Sequence, residues 1–371
     1  MRILENLKIA FPISAVWFGA LIGPSMVSGT YVAVYFAPYG AWGVVLSYLC
    51  MVGICLIVAL AANIVRVNQT YEYAHFAKVI YGRFSRFLSP VLELFMILAM
   101  VVGGSAVLSM SGSLLAEMLP VPIIVGTIAM AVIGILLDMK GAHLVRLSSS
   151  VMTPALIIGF FLLAGSGIMG RIEQLGDILS DWTINSSDMW SGVYGAVMLG
   201  FSNLGMVTSL CAVEQKVTKK SECIWIAVCS FLLNGTAFFL GTLFVLPYCP
   251  EVLSADVPAT YIIDHFIAVR YPWIRGVYLF VMFFALLSSS APQLHAVSSR
   301  LLVLWPVDEN QKKREVRTLI IGIGYMAACI IISTFGLFTI VSKGYAILAK
   351  LGIPIIALPI VIYSIRKIIH K

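Results

Sequence analysis

Two glycine-rich runs interrupt apolar segments, and their residue types suit the binding of a small molecule. They are Gly23-Pro24-Ser25-Met26-Val27-Ser28-Gly29 and Gly200-Phe201-Ser202-Asn203-Leu204-Gly205. Glycine is a poor helix former, and proline removes one backbone N–H, so each run predicts a break in its helix. In a segment that crosses a membrane, non-helical backbone is tolerated only where it is buried in protein or lines a cavity. We therefore expect the breaks to form one binding site at mid-depth.

The composition shows which kind of protein holds these runs. Of 371 residues, 60% are apolar and only 11% are charged, and the mean hydropathy is +1.00. Soluble domains carry about 25% charged residues, so soluble, disordered and disulfide-scaffold classes are excluded. The apolar stretches are about 20 to 30 residues long, which favours helices over the short strands of a barrel.

We predict an all-α membrane protein of ten transmembrane helices, forming one transmembrane domain over residues 1–371. Most Lys and Arg residues fall in alternate loops on one side, which places both termini in the cytoplasm and the protein in the cytoplasmic membrane. The net charge of +7 is thus an orientation signal and does not indicate nucleic acid. The predicted spans are 9–36, 41–65, 87–117, 121–138, 141–168, 188–213, 221–247, 271–303, 316–335 and 343–365.

The two breaks lie about half a chain apart, which indicates an internal duplication. Adding this separation to the residue numbers at which spans two and three start gives approximately the starts of spans seven and eight. A duplicated unit of five spans must be inverted, so we predict a five-plus-five inverted repeat with halves of about 9–168 and 188–365. Helices 1 and 6 are then the discontinuous pair that marks a binding site in secondary transporters. The alternative is that the glycines only allow close helix packing.

The breaks supply the candidate substrate contacts. No Arg or Lys lies at either break, so a small zwitterion or amine fits better than a multiply charged anion. Trp17 and Phe201 are candidate walls or gates of the binding site. The alternative is that they only pack against other helices, as aromatic residues in membrane helices more often do. The predicted substrate-binding residues are Gly23, Ser25, Met26, Ser28, Phe201, Ser202, Asn203 and Trp17.

Three segments together resemble the amino acid, polyamine and organocation superfamily, with its LeuT-type inverted repeat, and most nearly its YkvI-like transporters. They are residues 19–29, the second break and Ala285-Leu286-Leu287-Ser288-Ser289-Ser290. The YkvI-like pattern has small residues where this chain has Pro24. The resemblance implies a substrate held between the broken helices and a Na⁺ site. The ligands it implies are the carbonyls of Gly19, Ile22 and Ala285 and the hydroxyls of Ser288 and Ser289.

The spacing of Ala285, Ser288 and Ser289 agrees with that site, because positions i, i+3 and i+4 share one helical face. Neutral oxygens suit a monovalent ion that must bind and leave in each cycle. Serines in membrane helices also bond to the carbonyl one turn earlier, which is the structural alternative. Proton coupling is the main functional rival, although span five offers no lysine in its core to replace the cation.

Two charges fall inside predicted spans, and such residues are candidate functional sites. Lys350 is predicted to pair with Glu117 or Asp188 in an outer gate. Glu93 either takes part in coupling or extends to the interface.

The sequence thus predicts a Na⁺-coupled secondary transporter of a small amino acid or amine, not an enzyme, that works by alternating access. Its expected partners are the substrate, Na⁺ or H⁺, and the lipid bilayer, with no nucleic acid and no cofactor or metal beyond Na⁺. The rivals are an H⁺-coupled carrier, a ligand sensor that resembles germinant-receptor membrane subunits, and a membrane-embedded enzyme.

Overall fold

The computed structural model describes residues 2–21, 23–139, 142–184, 186–210, 217–255, 257–304 and 311–369, and these residues are almost entirely helical. The first ten α-helices are α1 Arg2–Leu21, α2 Pro24–Val27, α3 Thr30–Tyr35, α4 Gly40–Leu49, α5 Val52–Asn68, α6 Tyr73–Tyr81, α7 Ser85–Met118, α8 Ile123–Met139, α9 Ala142–Gly170 and α10 Ile172–Ser180. The remaining nine are α11 Ser186–Ser202, α12 Gly205–Leu210, α13 Lys220–Val245, α14 Pro258–Ile262, α15 Trp273–Leu304, α16 Gln311–Ser333, α17 Leu337–Thr339, α18 Tyr345–Gly352 and α19 Leu358–Ile369.

Six helical segments of the described chain are long and apolar enough to cross a membrane, or seven if one pair bent by 80° counts as a span. The six correspond to predicted spans two, three, seven, eight, nine and ten, and the bent pair holds span five. Span four is the shorter helix α8, and spans one and six are broken. The chain is therefore a multi-pass helical membrane protein, whereas the count of ten stays a prediction.

Both predicted helix breaks are present. Helix α1 ends at Leu21 and α2 begins at Pro24, whose fixed φ suits the first turn of a helix. A second change of direction follows at Gly29, whose φ of 74° lies in the left-handed region that favours glycine. In the other half, α11 ends at Ser202 and α12 begins at Gly205.

Each broken helix packs against its own set of neighbouring helices. Helix α1 lies along α13, where the Ser14 hydroxyl donates to the Ile226 carbonyl at 3.0 Å and the Ser230 hydroxyl bonds to Ser14 at 2.9 Å. Helix α2 packs against α7 and α15, and α11 packs against α18. The broken helices are thus enclosed by α7, α15 and α18.

The structure differs from the predicted spans at several ends. Helix α1 begins at Arg2 instead of residue 9, and the last span begins at Leu337 instead of residue 343. The last span contains two π-helical turns, Ile340–Gly344 and Ile353–Ala357, which hydrophobic periodicity does not reveal. Helices α10 and α14 were not predicted, because each is short and lies in a polar loop of the sequence.

Candidate binding site between two helix breaks

A cavity of about 370 Å³ lies where the two breaks meet helices α7, α15 and α18. Met96, Met100 and Gly103 of α7 form one wall, and Tyr31 and Tyr345 form part of another. None of the described residues that line the cavity is Asp, Glu, Lys, Arg or His. The site is therefore neutral and is shaped by hydroxyl, amide, thioether and aromatic groups.

Six of the predicted site residues line this one cavity. They come from both breaks and from α15, which lie far apart in the sequence. These residues are Gly23, Ser25, Ser202, Asn203, Ser288 and Ser289.

Other predicted substrate contacts lie elsewhere, and packing explains their positions. Met26 is buried against α13, since its Cε would lie 2.8 Å from a Cβ added at Gly241. The Ser28 hydroxyl bonds to Thr30 at 2.8 Å and to the Ser25 carbonyl at 3.2 Å. Phe201 packs its ring on Gly53 of α5. Trp17 is fully buried, and among the described residues its Nε1 has no hydrogen-bond partner.

Several backbone groups at the two breaks are hydrogen-bonded within the protein. The Gly23 carbonyl accepts bonds from the N–H groups of Met26 and Val27, both at 3.1 Å. At the second break the chain turns through i to i+3 bonds, such as Leu204 N to Phe201 O at 3.2 Å and Met206 N to Asn203 O at 2.9 Å. These backbone groups are therefore already paired, and the hydroxyl and amide side chains at the breaks also line the cavity.

The predicted ion ligands are partly described. Ser288 and Ser289 line the cavity, and Ala285 is buried one turn before them on α15. The Ser288 hydroxyl donates to the Ala285 carbonyl at 3.2 Å, which leaves the lone pairs of Ser288 free to accept or ligate. Gly19 lies near the end of α1, and Ile22 lies outside the described residues.

Sequence reasoning missed several residues that line the cavity. The rings of Tyr31 and Tyr345 meet edge to face with centroids 5.4 Å apart. Tyr31 lies two residues after the turn at Gly29. This turn is the one feature of the sequence that could have predicted a position for Tyr31 at the cavity. Gln293 and Met206 carry no local signal, because only the packing of α15 and α12 brings them to the cavity.

Helix α3 and the turn before it are held by hydrogen bonds to neighbouring segments. The Tyr35 hydroxyl donates to the Val341 carbonyl at 2.9 Å, and the Ala259 N–H donates to the Ser28 carbonyl at 2.8 Å. A Cβ added at Gly29 would lie 3.1 Å from Val245, so the backbone packs closely there. Helix α3 is therefore fixed against the residues around Val341 and against α14.

A buried acid outside the cavity was also missed. Asp138, at the end of α8, is almost fully buried and accepts bonds from His295 Nδ1 at 2.8 Å and the Ser298 hydroxyl at 2.7 Å. Asp138 was passed over because it lies on the last residue of predicted span four. The cluster joins α8 to α15 beside Pro292 and Ala296, which line the cavity.

The substitution Asp138→Ala is expected to lower the free energy of unfolding by about 3 kcal/mol. It removes two hydrogen bonds to a carboxylate, each typically contributing about 1.5–3 kcal/mol, and it leaves the Ser298 hydroxyl buried without its acceptor. Thermal unfolding of the purified protein in detergent measures the loss. Asp177→Ala, at an exposed position of α10, is the matched control and should unfold near the wild-type temperature. Equal melting temperatures for both variants would contradict the predicted role of the cluster.

The two charges singled out in the sequence have different surroundings. Glu93 accepts a bond from Arg300 at 2.9 Å and also bonds to the Tyr73 hydroxyl, so it joins α7 to α15 and α6. Lys350 lies on an exposed face of α18 with Ile347 and Leu351.

The structure does not bring Lys350 to either acid proposed for a gate. Gly352, two residues after Lys350, packs against Leu204 and Phe95. Asp188 lies 14 residues before the end of α11, and Glu117 lies 22 residues after Phe95 on α7, which correspond to about 21 Å and about 33 Å of helix. The last span begins at Leu337 instead of residue 343, so Lys350 lies 13 residues after its start.

Solved structures with a similar fold are membrane transporters. MhsT in complex with L-phenylalanine aligns with a TM-score of 0.65 and 18% identity, covering 95% of this chain and 88% of that one. A Na⁺-coupled sialic acid symporter aligns at 0.61 and 14%, covering 94% and 77%. A manganese transporter of Eremococcus coleocola aligns at 0.61 and 14%, covering 96% and 78%.

These likenesses show a LeuT-type fold for this chain. No family model and no curated protein matches the sequence. The resemblance to the YkvI-like group therefore stays a prediction.

Proposed function

We propose that this chain is a secondary active transporter that moves a small amino acid, or a related zwitterion or amine, across the cytoplasmic membrane. It works by alternating access, coupled to Na⁺ and without covalent chemistry. The proposal includes ten spans in a five-plus-five inverted repeat, both termini in the cytoplasm, and membership of the amino acid, polyamine and organocation superfamily near its YkvI-like group.

The observation that carries the proposal is the single cavity reached by both helix breaks and by Ser288 and Ser289. A substrate and a cation can both bind in such a site. Its oxygens come from different helices, which can move apart to release both. The neutral lining favours a molecule with little net charge. Similar folds bind L-phenylalanine in one protein and couple to Na⁺ in another, which supports this class of function.

Proton coupling is the second candidate, and one observation favours it. The buried carboxylate of Asp138 pairs with the half-buried imidazole of His295 beside the cavity wall. Asp, Glu and His side chains form the proton relays of many pumps and transporters. Imposed ion gradients separate the two candidates.

The test is uptake of radiolabelled amino acids and amines into proteoliposomes with an imposed Na⁺ or pH gradient. Uptake that follows the Na⁺ gradient supports the proposal, and uptake driven only by the pH gradient supports the second candidate. Binding without uptake contradicts a carrier and supports a sensor. Protein-free liposomes and liposomes with collapsed gradients are the controls.

A further inference from the structure

The turn between α6 and α7 carries an exposed patch of basic and aromatic side chains. Helix α6 ends at Tyr81, and Gly82 turns the chain with a φ of 53°. Arg83 and Arg86 follow this turn, and both are exposed. Residues three apart are neighbours on a helical surface, so the two guanidinium groups extend from adjacent positions. A Cβ added at Gly82 would meet nothing within 4 Å, so the space beside the turn is open.

The aromatic part of the patch lies at one end of an apolar face of α7. Phe84 and Phe87 are 54% and 73% exposed, and Val91 and Leu94 continue the same face at 41% and 68%. Helix α7 belongs to a segment that is long and apolar enough to cross a membrane, so this face lies against lipid tails. Aromatic side chains are enriched where such segments leave the hydrocarbon. The two arginines beside them therefore lie at the level of the lipid headgroups.

The charges of the patch are not neutralised by the described part of the protein. Deeper along α7, Glu93 pairs with Arg300 at 2.9 Å. By contrast, neither Arg83 nor Arg86 forms an ion pair with any described residue, and the Arg83 guanidinium lies over the ring of Phe84 at 5.0 Å. The first turn of α7 contains no acidic residue. The patch thus presents two positive charges at the edge of a lipid-facing surface.

We propose that the patch formed by Arg83, Phe84, Arg86 and Phe87 binds an anionic phospholipid. The guanidinium groups donate hydrogen bonds to the headgroup phosphate, a geometry that arginine favours. The acyl chains lie along the apolar face that continues from Phe87 to Leu94. The patch offers no carboxylate to the ammonium of a zwitterionic headgroup, so a lipid with a net negative charge fits it better. A free anion lacks the hydrocarbon that the exposed rings contact.

This inference depends on the membrane-spanning fold and is independent of the transported substrate. The test titrates the full chain, purified in a neutral detergent, with phosphatidylglycerol or with phosphatidylcholine of the same acyl chains. Native mass spectrometry counts the bound lipid and gives an apparent affinity for the first molecule bound. A second titration adds inorganic phosphate at the same concentrations as the lipid.

Three double variants separate a site from general surface charge. Arg83→Gln with Arg86→Gln removes both charges and keeps hydrogen-bond donors, whereas Arg83→Lys with Arg86→Lys keeps the charges. Lys8→Gln with Lys220→Gln is the charge-matched control, because both lysines are exposed and lie on α1 and α13. All four positions are exposed, so the variants should melt like the wild type before lipid is added.

The wild-type protein should bind phosphatidylglycerol about tenfold or more tightly than phosphatidylcholine, and the glutamine variant of the two arginines should lose most of that preference. The lysine variant and the control should stay within about threefold of the wild-type affinity. A wild-type protein without a preference, or an equal loss in the Lys8 and Lys220 control, overturns the proposal. Displacement of the lipid by inorganic phosphate also overturns it, since the patch would then bind a free anion.

Discussion

Alanine in place of Gly200 should reduce uptake at least about tenfold and lower the melting temperature. A Cβ at this position would lie 2.2 Å from the carbonyl oxygen of Cys50. The obstacle is backbone, so no side-chain rotation relieves it and α11 must move away from the turn between α4 and α5. Overpacking of this kind costs about 1–3 kcal/mol. The shift falls two residues before the second break, so it also displaces Ser202 and Asn203.

The same substitution elsewhere supplies the control for Gly200. A Cβ added at Gly276 of α15 or at Gly324 of α16 meets nothing within 4 Å. Alanine is a better helix former than glycine, so both control variants should fold as well as the wild type or better. Proteoliposome uptake and thermal unfolding measure all three variants. Normal uptake and stability in Gly200→Ala would show that α11 does not need this close approach.

The helix breaks were predictable because their causes are local. Glycine and proline act on the backbone where they stand, so the runs at Gly23 and Gly200 located the ends of α1 and α11 within a few residues. The part of the cavity lined by Ser25, Ser202 and Asn203 could be predicted for the same reason, since these residues lie at the breaks themselves.

The rest of the cavity depends on how distant helices pack. Met96, Tyr345 and Gln293 reach the site because α7, α18 and α15 surround the breaks, and no spacing within their own segments indicates this. The start of the last span was misplaced for a similar reason, since hydrophobic periodicity does not reveal its two π-helical turns. Local sequence patterns thus predict the helix breaks, whereas tertiary packing determines which other residues line the cavity.

The double substitution Ser288→Ala with Ser289→Ala should remove most Na⁺-driven uptake. The proposed ion site draws two of its oxygens from these hydroxyls, and both side chains line the cavity beside Leu21 and Gly23. A polar contact to a charged group contributes about 1.5–3 kcal/mol, so each lost hydroxyl should weaken Na⁺ binding about tenfold or more. Initial uptake rates measured against Na⁺ concentration should show a much higher half-saturating concentration.

A change in Na⁺ dependence must be separated from damage to the helix. Ser299→Ala lies on the same helix at an exposed position and should leave the Na⁺ response unchanged. Alanine favours helix, and within the described part of the chain the Ser288 hydroxyl bonds only to the Ala285 carbonyl of its own helix, so the double variant should still fold. Substrate that binds normally at high Na⁺ would confirm that the site is intact. If uptake by the double variant depends on Na⁺ as in the wild type, the coupling ion binds away from α15. If uptake no longer depends on Na⁺ but the substrate still binds, the ion binds in the same cavity as the substrate.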